Sequence, residues 1–208
     1  MRKILTVIFL TVVVSVNAQN QFAIGFRMGD PSGLTVRLYT ETDRFEMNLG
    51  RSHVFYGKGW YENQFDPWYK AQEFGYKEVQ FLRYKTSFPL ALQLHRIHQQ
   101  PWKNFGGHKL YLFDWYYGYG LQLAFQKYEY EYRYKATSTS PWVSVWSTVP
   151  DIDVGLDGLI GLEYTVQKTP LRIFADLNLF IEVADNPFRF FFQSGVGVRY
   201  LLGVRAKE

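Results

Sequence analysis

The stretch "LRIFADLNLFIEV", residues 171–183, alternates between two kinds of side chain along its whole length. Every second residue from Leu171 to Val183 is apolar, while the positions between them carry Arg, Asp, Asn and Glu together with two Phe. Successive side chains of a β-strand point to opposite faces of a sheet, so this period of two predicts a strand with one apolar face. An average strand is only about five or six residues long. The stretch therefore predicts an unusually long β-strand.

Comparable alternation recurs along the chain and gives eight strand segments. Short connections with Pro or Gly, such as "GDPSG" (29–33) and "ADNPFR" (184–189), join neighbouring segments as antiparallel hairpins. Two connections are long, residues 54–88 and 127–150, and they should lie at the same end because they follow the third and fifth strands. The pattern predicts an all-β fold, an eight-stranded antiparallel up-and-down barrel with two long extracellular loops. Its predicted strands are 21–29, 33–40, 44–53, 89–98, 110–126, 151–167, 170–184 and 190–202.

The chemistry of the two strand faces is the reverse of that in a soluble barrel. One face is a continuous run of Leu, Ile, Val, Phe and Tyr, and the other collects glycines and charged residues. Small and charged side chains suit the narrow interior of eight strands, and a long apolar face suits lipid hydrocarbon. We therefore predict a transmembrane barrel whose lumen is plugged by paired charges. The predicted lumen charge network is Arg27, Arg37, Glu46, Asp114, Asp153, Asp157, Glu163, Arg172, Asp176, Glu182 and Arg199.

The first 18 residues have the composition of a secretory signal peptide. Arg2 and Lys3 precede a short apolar run, and small residues lead up to Ala18. We expect cleavage after Ala18, which leaves one barrel domain at residues 19–208 and lowers the formal net charge from +4 to +2. The near balance of charge argues against a nucleic-acid binder. The absence of Cys excludes disulfides and thiolate metal sites.

The last strand carries a short motif that resembles the insertion signal of bacterial outer-membrane barrels. Its residues are Gln193, Gly195, Val198 and Tyr200. Together with "GFRMGDPSGLTVRLY" (25–39), "WYYGYGLQL" (115–123) and "GLDGLIGLEYTV" (155–166), it makes the chain resemble the small eight-stranded outer-membrane proteins of Bacteroidetes, which share the OmpX and OmpA barrel architecture. The resemblance implies a monomer in a Gram-negative outer membrane, with both termini periplasmic. It also implies insertion by the barrel-assembly machinery, and it transfers no cofactor and no catalytic residue.

The two long connections carry the residues that we expect to meet outside partners. They are rich in aromatic side chains, which suits contact with outer-membrane lipid and lipopolysaccharide or recognition of an extracellular protein or glycan. A lipid- or envelope-modifying enzyme and a narrow small-solute pore remain alternatives. The sequence has no Gly-x-Ser-x-Gly elbow, and His95 and His98 fall on opposite strand faces, so we predict no catalytic and no metal site. The candidate recognition residues are Trp60, Tyr61, Trp68, Tyr69, Trp142 and Trp146.

Overall fold

The computed structural model describes residues 21–40, 43–52, 58–76, 78–87, 89–102, 112–184 and 188–202, so the predicted signal peptide at 1–18 lies outside the described residues. Within these ranges, no helix is long and apolar enough to cross a lipid bilayer. The elements are β1 (Gln21–Gly29), β2 (Ser32–Tyr39), β3 (Arg44–Arg51), α1 (Lys58–Ala71), β4 (Glu78–Thr86), β5 (Leu90–Pro101), β6 (Phe113–Lys135), β7 (Val143–Thr165), β8 (Leu171–Glu182) and β9 (Phe190–Leu202).

Eight of the strands close into a ring in which every neighbouring pair is antiparallel. The order around the ring is β1, β2, β3, β5, β6, β7, β8 and β9, and β9 pairs back onto β1. The predicted eight-stranded antiparallel barrel is therefore confirmed. Closure satisfies the backbone groups that an open sheet would leave unpaired at its two edges.

A smaller structure stands on one end of the ring, and we call it the cap (residues 58–86 and 127–150). Strands β6 and β7 are 23 residues each, and their pairing continues without a shift from Phe113 opposite Tyr164 to Tyr134 opposite Val143. Their far halves rise beyond the ring, where β4 pairs with β6 and α1 packs against the sheet. The long connection predicted at 54–88 joins β3 to β5 outside the ring, and its described part holds α1 and β4, two elements that were not predicted from the sequence. The segment 127–150 is mostly strand.

The wall of the ring is apolar on its outer surface and small or polar on its inner surface. Phe26 is 71% exposed and Leu177 is 62% exposed, both on the outer surface. Inside, large side chains lie flat over glycines of the neighbouring strand: the Tyr116 ring covers Gly161, where an added Cβ would lie 2.4 Å from the ring. The inward glycines thus make room for the large polar side chains that fill the lumen.

Candidate functional site

Near one end of the lumen, three arginines share a single carboxylate. Glu163 on β7 accepts hydrogen bonds from Arg37 at 3.0 Å, Arg172 at 2.7 Å and Arg199 at 3.2 Å. The pair Arg37–Glu163 crosses the lumen, because β2 and β7 lie on opposite sides of the ring. Both side chains are completely buried. A carboxylate and guanidinium groups at this depth compensate each other's loss of hydration.

A second carboxylate completes this cluster. Glu46 on β3 lies 2.5 Å from Arg37 and 2.6 Å from Arg199 and accepts a further hydrogen bond from Asn48. Each of the two buried arginines therefore bridges both glutamates. Such shared, charge-assisted hydrogen bonds fix the relative positions of strands that are far apart in the sequence.

Further from the cluster, the lumen is crossed by hydrogen bonds between neutral amides and by a contact between a histidine and a carboxylate. Gln93 on β5 donates to Gln122 at 2.7 Å and to Gln193, on the opposite side of the ring, at 3.1 Å. His95 lies 3.1 Å from Asp157. These contacts join side chains from β5, β6, β7 and β9 across the barrel axis, so they occupy the path that a solute would take.

The structure places all eleven predicted lumen residues on the inner surface. It pairs Asp176 with Arg27 at 2.7 Å and joins Asp114 to Gln99 at 2.8 Å. The sequence analysis omitted the buried amides Asn48, Gln93 and Gln122, although they lie on the same alternating face as the charges. Buried members of the predicted set are Arg27, Arg37, Glu46, Asp153, Asp157, Glu163, Asp176, Glu182 and Arg199, and partly buried members are Asp114 and Arg172.

The four residues of the predicted insertion signal lie on β9, two on its inner face and two on its outer face. Gln193 is buried in the lumen, and the guanidinium of Arg27 lies over Gly195. Val198 and Tyr200 are exposed on the outer surface. The motif therefore combines two positions that the lumen constrains with two that face outward.

An aromatic core holds the cap together. Phe65 of α1, which is 2% exposed, has its ring 5.2 Å from that of Tyr130, and the rings of Tyr61 and Tyr84 stack at 4.5 Å. The Tyr61 hydroxyl also accepts a hydrogen bond from Gln126 at the mouth of the ring. Burial raises the pKa of Tyr61 and of Tyr130 above that of an ordinary phenol. Helix α1 thereby ties the cap to the barrel mouth.

The candidate recognition residues divide into two groups. Tyr61 is 4% exposed, and Trp60, Trp68 and Tyr69 are partly buried and pack against the aromatic core, so these four residues stabilise the cap. Tyr61, Phe65 and Tyr69 are four residues apart, a spacing that places them on one face of a helix and that indicates α1 in the sequence. Trp142 and Trp146, at 39% and 40% exposure, lie on the outer face of the cap sheet.

Among the described strands the cap sheet is open at both edges, at the outer side of β4 and at the side of β7 that faces away from β6. On the β7 side, β8 pairs with β7 up to Gly155, and the last contact is the Val183 N–H donating to the Val154 carbonyl at 2.9 Å. Backbone groups of a strand alternate in direction, and β7 runs without a bulge, so Ser144 and Thr148 direct their N–H and C=O groups to the same side as Val154. Pro150 has the same orientation as Ser144 and Thr148. The position at which its ring replaces an N–H therefore lies on the open edge of β7.

An apolar furrow with a volume of about 970 Å³ crosses the outer surface of the ring. Most of its lining comes from β7, β8 and β9 and includes the small residues Gly161, Ala175 and Gly195. Bulky apolar side chains border it, namely Met28, Trp115, Ile160, Leu162, Leu177 and Val196. The furrow extends the apolar character of the outer wall, and its one charged lining residue, Asp176, is paired with Arg27 at 2.7 Å.

Among the residues that the structure describes, no group of three or more His, Asp or Glu side chains is arranged to hold a metal ion. His95 points into the lumen toward Asp157, whereas His98 lies 3.5 Å from Asp43 near the turn between β2 and β3. The two histidines are therefore separated by the barrel wall.

Comparison with solved structures gives a likeness in fold. No protein-family model and no curated protein matches the chain. The solved N-terminal β-barrel domain of OprF from Pseudomonas aeruginosa is similar to it, with 13% sequence identity, a TM-score of 0.47, and coverage of 88% of this chain and 96% of that one. The assignment of a closed eight-stranded barrel does not depend on this likeness, because it follows from the strand pairing of the chain itself.

Proposed function

We propose that this protein is an outer-membrane barrel of the small Bacteroidetes type, whose lumen is closed and whose cap mediates contacts at the cell surface. The observation that supports a membrane location is the outer wall: Phe26, Leu121 and Leu177 are more than half exposed, while Arg37 and Glu163 are sealed inside. Such an arrangement is favourable only if the medium around the wall is apolar. With both termini in the periplasm, the cap is extracellular.

The contacts across the lumen favour a closed barrel, which conducts no solute, over a pore. Arg37 reaches Glu163 across the full width of the ring, and Gln93 reaches Gln193. Eight strands leave room for side chains and little else. We expect the purified protein to produce no stepwise current in a planar bilayer, whereas steady single-channel steps would contradict the closed lumen.

The membrane location is tested by gel mobility. Closed membrane barrels resist detergent until they are heated, so we expect unboiled and boiled protein from a purified outer-membrane fraction to migrate differently. Protein that is found only in the soluble periplasm, with no heat-dependent shift, would overturn the proposal. An unchanged lipid A and phospholipid profile after deletion of the gene would argue against the alternative of a lipid-modifying enzyme.

The open edge of β7 is the feature of the cap that suits recognition of a protein. An extended segment of a partner can add to such an edge through backbone hydrogen bonds. The variant Thr148→Pro removes an N–H that points to the open edge, and Thr148→Ala keeps it, so the two form a matched pair. We expect cells that display Thr148→Pro to lose adhesion and cells that display Thr148→Ala to retain it. Equal adhesion of both variants would exclude strand addition at this edge.

A further inference from the structure

The outer face of the cap sheet combines basic side chains with exposed tryptophans. Each cross-strand row of this face contains at least one Lys, Arg or Trp. Basic residues exceed acidic ones by two. The basic residues are Arg83, Lys85, Lys127, Arg133 and Lys135, and the acidic residues are Glu78, Glu129 and Glu131.

Each tryptophan is flanked by two cations that come from other strands. The Lys85 ammonium lies 4.2 Å from the centre of the Trp146 ring, and the Arg83 guanidinium lies 5.3 Å from it. Trp142 is flanked in the same way by Arg133 at 4.8 Å and Lys135 at 4.7 Å. The cations cover part of each ring and hold it in place, while about two fifths of each tryptophan stays exposed. The result is two copies of one arrangement, a fixed indole beside two positive charges.

Two of the three acids on this face are already paired. Glu131 accepts a hydrogen bond from Arg83, and Glu78 lies 2.9 Å from Lys135. Arg133 donates to the neutral amide of Gln80 at 2.7 Å, so its charge is not matched by that contact. The third acid, Glu129, lies opposite Lys85 in the register of β4 and β6 and offsets part of its charge. The face as a whole still keeps an excess of two positive charges, and Lys85 and Arg133 present positive charge to an anion that approaches it.

The position of the face relative to the apolar wall indicates what surrounds it. The outward apolar series of β6 and β7 ends at Phe125 and Ile152, and Lys127 is the next outward residue of β6. Trp146 lies six residues before Ile152 on β7, which corresponds to about 20 Å along the strand away from the apolar wall. Lys and Arg just beyond the apolar zone meet the headgroup layer, and Trp is enriched there. Trp146 and Lys85 thus lie at the height of the sugars that project from an outer leaflet.

We propose that this face binds the anionic sugar chain of the glycolipids that surround the barrel. Lys85 and Arg133 contact phosphate or carboxylate groups, and the exposed parts of Trp142 and Trp146 contact the C–H faces of the sugar rings. This inference rests on the proposed function, since the face meets glycolipid only if the ring spans an outer membrane. It adds a defined partner chemistry to the cap, and the open edge of β7 remains accessible beside it.

The test compares binding of two glycolipid probes to the full-length protein in detergent. The probes are rough lipopolysaccharide with a phosphorylated core and the same material after removal of the core phosphates. The variant Lys85→Gln with Arg133→Gln removes one charge beside each tryptophan and leaves both ion pairs of the face intact. The control, Arg96→Gln with Lys168→Gln, also replaces two basic side chains by Gln, near the opposite end of the barrel, and it additionally removes an ion-pair partner of Asp43.

We expect the Lys85 and Arg133 variant to bind the phosphorylated probe on the order of 25-fold more weakly than the wild type, since each basic residue near such a surface contributes roughly fivefold. The control should bind like the wild type, and Trp146→Leu should bind both probes more weakly. Equal affinity of the charge variant and the wild type, with the heat-dependent gel shift intact, would overturn this inference alone. Loss of the gel shift in the wild type would instead refute the membrane barrel. If the Lys85 and Arg133 variant binds glycolipid like the wild type but no longer supports cell adhesion, the face contacts a protein partner instead, and this inference is wrong.

Discussion

Replacing Glu163 with Gln should destabilise the barrel more than replacing Arg37 with Gln, although the two residues form one ion pair. The charge cluster around Glu163 contains three guanidinium groups and two carboxylates. The guanidinium groups belong to Arg37, Arg172 and Arg199, and the carboxylates to Glu46 and Glu163. Glu163→Gln leaves three positive charges beside a single carboxylate. Arg37→Gln leaves two positive charges with two negative ones. Burial makes this asymmetry matter, because an uncompensated charge away from water is costly.

The expected magnitudes follow from that balance. Removing one partner of a buried pair and leaving the other uncompensated costs about 3–5 kcal/mol, which we expect for Glu163→Gln. Losing hydrogen bonds to a group whose charge stays matched costs about 1–3 kcal/mol, which we expect for Arg37→Gln. Urea unfolding in lipid vesicles, followed by the fraction that migrates as folded protein on unboiled gels, measures both. Asp43→Asn, which removes the partner of the exposed Arg96, serves as the control and should leave the unfolding midpoint nearly unchanged.

The ranking of the two variants is the point on which the reasoning depends. If Arg37→Gln unfolds at lower urea than Glu163→Gln, or if both unfold together with the wild type, the arginines do not depend on Glu163 for compensation. The lumen would then have to be hydrated well enough to screen its charges.

Three further outcomes are expected. Phe65→Ala should lower the stability of the cap by about 3–5 kcal/mol. Backbone amide hydrogens of the cap should then exchange faster with solvent, while the heat-dependent gel shift of the ring persists. Slow amide exchange throughout the cap of the variant would contradict the aromatic core. Because burial raises the pKa of Tyr61 and Tyr130, cap stability should be complete below the unfolded tyrosine pKa of about 10 and decline above it; tyrosinate absorbance that titrates entirely near pH 10 would contradict this. Leu177→Arg places a charge on the outer wall and should lower stability in bilayers by about 2–4 kcal/mol, whereas an unchanged unfolding midpoint would argue against a lipid-facing surface.

The ring was predictable because its signals are local and repeated. Alternation of two kinds of side chain, as between Leu171 and Val183, depends only on the geometry of one strand. The eight predicted segments overlap the eight strands of the ring, and the long alternating run beyond Phe125 already placed charges on one face and tyrosines on the other.

The cap was not predictable in the same way. Its helix is only 14 residues long, contains Pro67 and has no acidic residue in its first turn, so the usual boundary signals are weak. What stabilises it is contact with β4 and β6, where Phe65 meets Tyr130 and Tyr61 meets Tyr84. Aromatic residues that look like a recognition surface in the sequence are therefore largely a core, and of the six candidate recognition residues only Trp142 and Trp146 are among the exposed large side chains.

The sequence by itself determined which residues share the lumen, since a strand period of two assigns every side chain to one face or the other. Which of them pair was decided only by the tertiary structure. Arg199 meets Glu46, 153 positions away, and Arg27 meets Asp176, 149 positions away, because closure of the ring and the stagger of its strands bring these inner faces to the same height. No local pattern carries that stagger. It arises only when eight strands settle their register around a common interior.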